Sequence, residues 1–221
     1  MEERKNILDN YYNSYDEERR LVKDKSHNIE YLVTKEYIGK YLKPNDKILE
    51  IGAGTGRYSL HYAKEGYDVT AIEYVNHNLD ILKSKITPDM KIRAEQGDAV
   101  DLSRFDDNTF DITLVLGPLY HLFDKKDIDS AIKEAIRVTK KDGIIMMAYI
   151  TSDGVFAEWG LDHLIDGYPE CYDDNFKMTN YPENIFATYY IKEFKDMMNN
   201  YDVILLNMLV KIILNMIQLK R

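Results

Sequence analysis

Three glycines alternate with small or polar residues in ILEIGAGTGR, the segment that spans residues 48–57. Gly52, Gly54 and Gly56 follow a run of apolar residues that is typical of a buried strand. Glycine allows a tight turn after such a strand and lets a ligand approach the peptide groups closely. The amides that open the following helix then face the ligand. This pattern predicts a binding loop for a nucleotide-like molecule, although the glycines could also serve only to form a tight loop.

Glu50 restricts the kinds of ligand that the loop can bind. Dinucleotide-binding turns have the spacing G-x-G-x-x-G and hold a pyrophosphate. This chain has G-x-G-x-G instead, with Glu50 two residues before the first glycine. A carboxylate beside the loop repels a pyrophosphate and attracts a positive charge. The combination favours a cationic ligand, such as one with the ammonium or sulfonium group of S-adenosylmethionine.

Two further acids follow the next two predicted strands. Glu73 ends the strand YDVTAIE, and Asp98 comes directly after MKIRAEQG. A carboxylate at the carboxyl end of a parallel strand can accept hydrogen bonds from both ribose hydroxyls. Glu73 is therefore a candidate ribose ligand, or else a solvated acid at a strand end. Asp98 is a candidate acceptor for the exocyclic amine of adenine, with the backbone NH of Ala99 beside it.

The order of these motifs resembles that of class I S-adenosylmethionine-dependent methyltransferases. Residues 47–150 carry the resemblance, and LEIGAGTGR is close to the commonest form of the family's first motif. In that family the glycine loop cradles the methionine part and the ribose of the cofactor, and the two later acids hold ribose and adenine. The resemblance implies S-adenosylmethionine as cofactor and S-adenosylhomocysteine as product. The cofactor contacts that it implies are Gly52, Ala53, Gly54, Gly56, Glu73, Asp98 and Ala99. We further predict cofactor contacts at Glu50, Arg57, Tyr74, Leu116 and Tyr11.

The segment LGPLYHL at residues 116–122 follows the fourth predicted strand, where this family brings the methyl acceptor to the cofactor. Enzymes of the family that methylate amino groups of nucleic-acid bases have an Asn/Asp-Pro-Pro-Tyr/Phe signature there, and this chain lacks its leading polar residue. Enzymes that methylate a cytosine carbon need a nucleophilic cysteine near this loop, and Cys171 lies far from it in the sequence. What is left resembles the methyltransferases that act on small molecules.

Tyr120 and His121 are the polar side chains nearest the predicted transfer site, and both are candidate catalytic residues. His121 could act as general base for a hydroxyl or amine acceptor, because histidine has an ordinary pKa of about 6.5. It could also be a histidine at a helix start, exposed to solvent or hydrogen-bonded to the backbone. Many such enzymes need little acid–base help, because in-line transfer depends mainly on positioning and on removal of water.

Aromatic residues flank the predicted core on both sides. Tyr11, Tyr12 and Tyr15 form an N-terminal cluster that either folds over the cofactor, as N-terminal tyrosines do in relatives, or packs a short surface helix. A second group either lines an acceptor pocket or forms a hydrophobic cap over the sheet: Trp159, Tyr168, Tyr172, Phe176 and Tyr181.

Strand and helix patterns alternate without a break from Lys47 to Ile150 and position these residues. Helices are predicted at about 57–64, at 76–86 with Asn76 as N-cap, and at 127–139. Because parallel strands need crossover helices, the alternation predicts an α/β fold: a Rossmann-like, doubly wound, mostly parallel sheet with helices on both faces. The predicted strands are KILEIG, YDVTAIE, MKIRAEQG, FDITLVLG and IIMMAYI.

The flanking segments complete the predicted organisation of one methyltransferase domain over residues 1–221. An N-terminal helical extension, 1–45, contains helices at 16–25 and 28–42, and the cofactor-binding core is 46–150. An insertion or lid at 151–190 follows the fifth strand, and 191–221 contains a helix and a strand region. The tail NMLVKIILNMIQLKR has no Gly, Pro or Asp turn, so a helix, a poorly formed strand pair and an altered natural end all stay open.

Composition restricts the partners and the compartment of this 221-residue chain. Its formal charge of −9 is a poor match to nucleic acid. The sequence contains no uninterrupted apolar stretch of about 18 residues, so we expect no membrane span. One cysteine fits a reducing cytoplasm. The histidines show no metal-ligand spacing, and we expect a cytoplasmic monomer or homodimer that acts on a small-molecule acceptor without a metal.

Two other functions stay open beside methyl transfer. One is a protein that binds S-adenosylmethionine for regulation without turnover. The other is a nicotinamide-dependent oxidoreductase, which the G-x-G-x-G spacing and Glu50 disfavour.

Overall fold

The computed structural model describes residues 2–157, 185–209 and 214–221. Its strands are β1 (Lys47–Ile51), β2 (Asp68–Glu73), β3 (Ile92–Gln96), β4 (Phe110–Val115), β5 (Thr139–Thr151), β6 (Thr188–Tyr189), β7 (Ile204–Leu209) and β8 (Leu214–Lys220). Its helices are α1 (Glu2–Ser14), α2 (Glu17–Arg20), α3 (Lys25–Gly39), α4 (Arg57–Lys64), α5 (Asn76–Ser84), α6 (Lys125–Val138), α7 (Ser152–Val155) and α8 (Ile191–Met198), with a 3-10 turn at Pro118–His121.

The sheet order is β3-β2-β1-β4-β5-β8-β7, and β6 pairs with the end of β5. Strands β1 to β5 are parallel, whereas β8 runs antiparallel to both β5 and β7. The chain moves outward in one direction from β1 to β3 and then crosses to β4 on the other side of β1. In such sheets the crevice at this reversal, outside the carboxyl ends of the strands, is the usual ligand site. The fold thus confirms the predicted α/β, mostly parallel, doubly wound sheet.

The inner strands are apolar on both faces because helices cover both sides of the sheet. On one face Leu49 and Ile51 of β1 join a cluster with Ile132 of α6. On the other face Ile48 packs in a cluster with Tyr62 of α4. This alternation with a period of two fixes the register of β1, and so fixes where Glu50 and the glycine loop emerge.

The N-terminal segment differs from the prediction. The charged stretch at 16–25 is helical only over Glu17–Arg20, and a helix that the sequence analysis did not assign covers Glu2–Ser14. The helix at Glu17–Arg20 ends with Leu21 as its C-cap. Asp24, inside the predicted helix, instead caps the next one, since its side chain accepts a hydrogen bond from the amide of His27. That next helix covers Lys25–Gly39, close to the predicted 28–42.

The tail forms a strand pair, one of the three possibilities left open. β8 lies between β5 and β7 and pairs with both over most of its length. Much of the predicted insertion, with Cys171 and the aromatic group from Trp159 to Tyr181, lies outside the described residues. No helix in the described part of the chain has the length and apolar character needed to cross a bilayer.

A comparison of Gly56 with Gly66 distinguishes the cost of backbone strain from the cost of overpacking the core. Gly56 (φ 86°) precedes α4 and Gly66 (φ 93°) follows it, so both have left-handed backbone. A Cβ on Gly56 would lie 2.7 Å from Leu82 Cγ, whereas a Cβ on Gly66 would have no atom within 4 Å. We expect Gly66→Ala to lower the free energy of unfolding by about 1 kcal/mol from backbone strain alone. Gly56→Ala should cost about 1–3 kcal/mol more because it overpacks the core.

Chemical denaturation of both variants measures this difference, and Gly66→Ala is the matched control. Equal losses for the two variants would show that the contact between the loop and Leu82 relaxes without cost.

Candidate active site

The glycine loop joins β1 to α4 and has left-handed backbone at φ of 72°, 55° and 86° for Gly52, Gly54 and Gly56. L-residues with side chains rarely adopt such angles, which explains the three glycines. The amide of Gly52 donates to the carbonyl of Ile72 at 2.8 Å and ties the loop to β2. A Cβ on Gly52 would lie 2.7 Å from the ring of Pro118. The loop therefore abuts the segment after β4, where the acceptor is expected.

Glu73 holds the loop against the start of α5. Its Oε2 accepts a hydrogen bond from the amide of Gly54 at 2.6 Å, and its Oε1 accepts one from the amide of Val75 at 2.8 Å. The side chain is buried, and burial raises its pKa to about 7 despite these two hydrogen bonds. Val75 is the N-cap residue and Asn76 is the first helical residue, so the predicted capping by Asn76 is wrong.

Glu50 is a second buried acid in the same cavity. It is 2% exposed, and its Oε2 accepts a hydrogen bond from the hydroxyl of Ser59. Burial, and the like charge of Glu73, raise its pKa to about 8. Two carboxyl groups that ionise with difficulty in one cavity favour a ligand that brings positive charge.

Asp98 follows β3, and both of its carboxylate oxygens have partners. Its Oδ1 accepts a hydrogen bond from the amide of Val100 at 3.2 Å, and its Oδ2 pairs with Arg4 of α1. The Arg4 guanidinium also lies over the ring of Tyr74, 5.1 Å from the centroid. The sequence analysis missed Arg4 because no motif marks it and its place depends on how α1 packs. A ligand amine that binds Asp98 has to share it with Arg4 or displace Arg4.

His121 has a defined tautomer. Its Nδ1 lies 2.8 Å from the carbonyl oxygen of Ile185, which can only accept, so Nδ1 carries the proton. Nε2 is then an acceptor and takes a hydrogen bond from the hydroxyl of Tyr12 at 2.9 Å. Burial lowers the pKa of His121 to about 4, so the ring is neutral at pH 7. Nε2 of His121 therefore carries an unprotonated lone pair, which accepts the hydrogen bond from Tyr12.

The hydroxyl of Tyr120 is hydrogen-bonded to the backbone, whereas Nε2 of His121 is bonded to a side chain. The Tyr120 hydroxyl donates to the carbonyl of Leu116 at 3.0 Å, and burial raises its pKa. Its ring lies 4.8 Å from the His121 ring and 5.9 Å from the Phe186 ring, between centroids. Tyr120 therefore contributes an aromatic wall and a bonded hydroxyl.

The short helix α2 covers the glycine loop, a contact that the sequence analysis did not predict. A Cβ built on Gly54 would lie 3.5 Å from Glu17 Cγ. The Glu17 carboxylate accepts from Arg20 Nε at 2.8 Å, and Arg20 Nη1 lies 3.2 Å from Glu30 Oε1. Arg57 donates to the carbonyl of Glu18 at 2.9 Å, which fixes α2 to the start of α4.

These groups line one cavity of about 1160 Å³ at the carboxyl ends of the parallel strands. Its walls include α1, α2, the glycine loop and the turn after β4. Gly56 is not among its lining residues, since it packs against Leu82. The sequence-predicted residues that the cavity does bring together are Tyr11, Glu50, Gly52, Ala53, Gly54, Arg57, Glu73, Tyr74, Asp98, Ala99, Leu116, Tyr120 and His121.

Comparison with known proteins agrees with the motifs. A family model described as a methyltransferase domain matches residues 49–147. A demethylmenaquinone methyltransferase of Paenarthrobacter aurescens is 35% identical over 107 residues, which are 48% of this chain and 40% of that protein. A glycine/sarcosine N-methyltransferase of Parasynechococcus marenigrum is 29% identical over 108 residues, which are 48% of this chain and 38% of that protein. The chain spans about half the length, or less, of the curated relatives that it matches.

Solved structures share the fold over most of the chain. A SAM-dependent methyltransferase of Methanosarcina mazei has a TM-score of 0.67 at 22% identity, over 84% of this chain and 96% of that one. A protein of Pyrococcus horikoshii has a TM-score of 0.73 at 17% identity, over 96% of this chain and 98% of that one. These solved structures show that the fold is shared. The matched family model supports a methyltransferase domain over residues 49–147, with S-adenosylmethionine as its cofactor.

Proposed function

We propose that this protein transfers a methyl group from S-adenosylmethionine to a small-molecule acceptor by in-line displacement. The observation that carries the proposal is that one cavity contains both halves of a transfer site. The glycine loop and Glu73 form one half, and the unprotonated Nε2 of His121 forms the other. The sulfonium of the cofactor supplies an electrophilic methyl group.

The residues in the cavity fit this cofactor. Glu73 has both oxygens tied to backbone amides and is proposed to accept the ribose hydroxyls. Glu50 lines the same cavity, and a cationic ligand there would favour its ionised form. Asp98 and Tyr74 are proposed to receive adenine after Arg4 rearranges. The methionine part is proposed to lie against the loop backbone beside Gly52, Ala53 and Gly54, where side chains are absent or small and a ligand can approach closely.

His121 is proposed to orient the acceptor and to take its proton. Nε2 accepts a hydrogen bond from a phenol hydroxyl, that of Tyr12, and an acceptor hydroxyl or amine would take this place. Its lowered pKa keeps the lone pair free of a proton at pH 7, so it can receive the proton that the methylated atom sheds. Tyr120 is proposed to form the wall beside it, because its hydroxyl is already bonded to Leu116.

The lining of the cavity supports a small acceptor over a macromolecule. α1 and α2 cover the glycine loop side, and the rings of Tyr11, Tyr12, Tyr120 and Phe186 enclose the space around His121. The names of two relatives point to small acceptors of those proteins, demethylmenaquinone and glycine or sarcosine. We further propose a cytoplasmic location, as the single Cys171 suits a reducing compartment.

Calorimetric titration with S-adenosylmethionine and S-adenosylhomocysteine, followed by measurement of S-adenosylhomocysteine release across a panel of hydroxyl and amine acceptors, tests the proposal. Binding with turnover of at least one acceptor supports it. Binding without turnover across the panel would favour the regulatory alternative, and no binding to either compound would overturn both.

Replacing His121 should slow transfer without weakening cofactor binding. His121→Phe keeps an aromatic ring and removes the lone pair, so we expect kcat to fall about 100-fold while the Kd for S-adenosylhomocysteine stays unchanged. Tyr12→Phe is the matched control, since it removes only the hydroxyl that occupies Nε2, and it should leave kcat close to that of the parent. Steady-state kinetics and titration measure both effects. A His121→Phe variant with undiminished kcat would refute the proposed role.

Cofactor affinity should depend on pH through the two buried acids. Burial raises the pKa of Glu73 to about 7 and of Glu50 to about 8, so both are largely protonated in the free protein at low pH. A cationic ligand favours their ionised forms and must displace these protons. We expect the affinity for S-adenosylmethionine to rise as pH increases from about 6 to about 9, more steeply than for S-adenosylhomocysteine, which lacks the sulfonium charge. Parallel slopes in titrations of the two ligands would contradict this.

A further inference from the structure

Asn78 carries an unpaired polar atom deep inside the cavity. The residue is 2% exposed, and its Oδ1 has no hydrogen-bond partner among the described residues. Asn78 also lines the cavity of the candidate active site. Buried carbonyl groups in folded proteins almost always have a partner, so an orphan of this kind calls for an explanation.

The helix geometry places Asn78 next to the glycine loop. Leu82 lies four residues later on α5, on the same helix face. Leu82 packs against Gly56, where an added Cβ would lie 2.7 Å from its Cγ. One turn toward the N-terminus of α5, Asn78 therefore faces the same loop, near Glu73 and Val75 at the end of β2.

We propose that Asn78 is a cofactor contact whose carbonyl accepts a hydrogen bond from a ribose hydroxyl of S-adenosylmethionine. A carbonyl oxygen can only accept, so the ligand has to supply a donor. The ribose offers two adjacent hydroxyls, and Glu73 and Asn78 offer two acceptors at the junction of β2 and α5. The inference rests on the proposed function only through the cofactor that both share.

A second buried polar atom in the cavity, which lacks a hydrogen-bond partner but forms an ion pair, indicates the same kind of ligand. Arg4 Nη1 is buried without a hydrogen-bond partner among the described residues, and it lies 3.6 Å from Asp127 Oδ2. Arg4 lines the cavity at its adenine end, against Asp98 and Tyr74. A donor and an acceptor that both lack hydrogen-bond partners among the described residues, in a single cavity, match a nucleoside, which presents both kinds of group.

Protein stability distinguishes a ligand-binding role of Asn78 from a purely structural one, since replacing a structural Asn78 would lower stability. Leucine has nearly the shape of asparagine and leaves no polar atom unpaired, so Asn78→Leu should stabilise the free protein. If Asn78 serves the ligand, the same substitution weakens binding. The proposal therefore requires the melting temperature and the affinity to move in opposite directions.

The experiment compares the full chain with Asn78→Leu, with Asn78→Ala as a second variant should leucine not fit. Asn76→Leu is the matched control, because Asn76 is exposed on the same helix. The probes are S-adenosylhomocysteine and its 2′-deoxy and 3′-deoxy analogues, titrated calorimetrically, together with thermal unfolding of each free protein. We expect Asn78→Leu to melt at a higher temperature and to bind S-adenosylhomocysteine about 10-fold more weakly, while Asn76→Leu binds like the parent.

The analogues identify the hydroxyl. For the analogue that lacks the hydroxyl bound by Asn78, the parent and Asn78→Leu should bind equally. The proposal is overturned if both Asn78 variants bind S-adenosylhomocysteine like the parent, or if each analogue loses as much affinity in the variants as in the parent. Failure of the parent itself to bind S-adenosylhomocysteine would instead remove the proposed function.

Discussion

The site depends on one carboxylate that joins two segments of backbone. Glu73 accepts hydrogen bonds from the amides of Gly54 and Val75, and so fixes the glycine loop relative to β2 and α5. Without these bonds the left-handed loop would have no side-chain anchor at its centre. Burying a carboxyl group is costly, and here the two amides offset part of that cost. The pKa of about 7 shows that the compensation is incomplete.

This incomplete compensation extends to Glu50, the other buried acid of the cavity. Glu50 is buried with one hydroxyl donor, and Glu17 lies against Gly54 with Arg20 as its partner. The charge of Glu73 raises the pKa of Glu50, and the charge of Glu17 raises the pKa of Glu73. A cation placed among them would favour the ionised forms of both Glu50 and Glu73. The sulfonium cofactor of this domain class brings that charge, so the strained electrostatics of the free protein and the cofactor are complementary.

The sequence predicts those elements that local patterns determine, but not those that depend on contacts between residues far apart in the chain. The strands β1 to β5 and the positions of Glu50, Glu73 and Asp98 follow from local apolar runs and from the glycine turn, and the structure brings these residues to one cavity. α1 has no strong apolar periodicity, and it is held by Arg4 and Tyr12 through contacts with residues about a hundred positions away. A local sequence pattern cannot identify such distant partners. The tail was ambiguous for the same reason, because pairing with β5 decides that β8 is a strand.

The contacts of α1 also explain why this helix belongs to the site. Two side-chain hydrogen bonds from α1 end on Asp98 and on His121, the groups proposed to receive adenine and the methyl acceptor. Each bond supplies a donor, a guanidinium or a phenol, where a ligand would supply an amine or a hydroxyl. Binding therefore exchanges an internal hydrogen bond for an external one, and the net gain is smaller than the gross contact suggests.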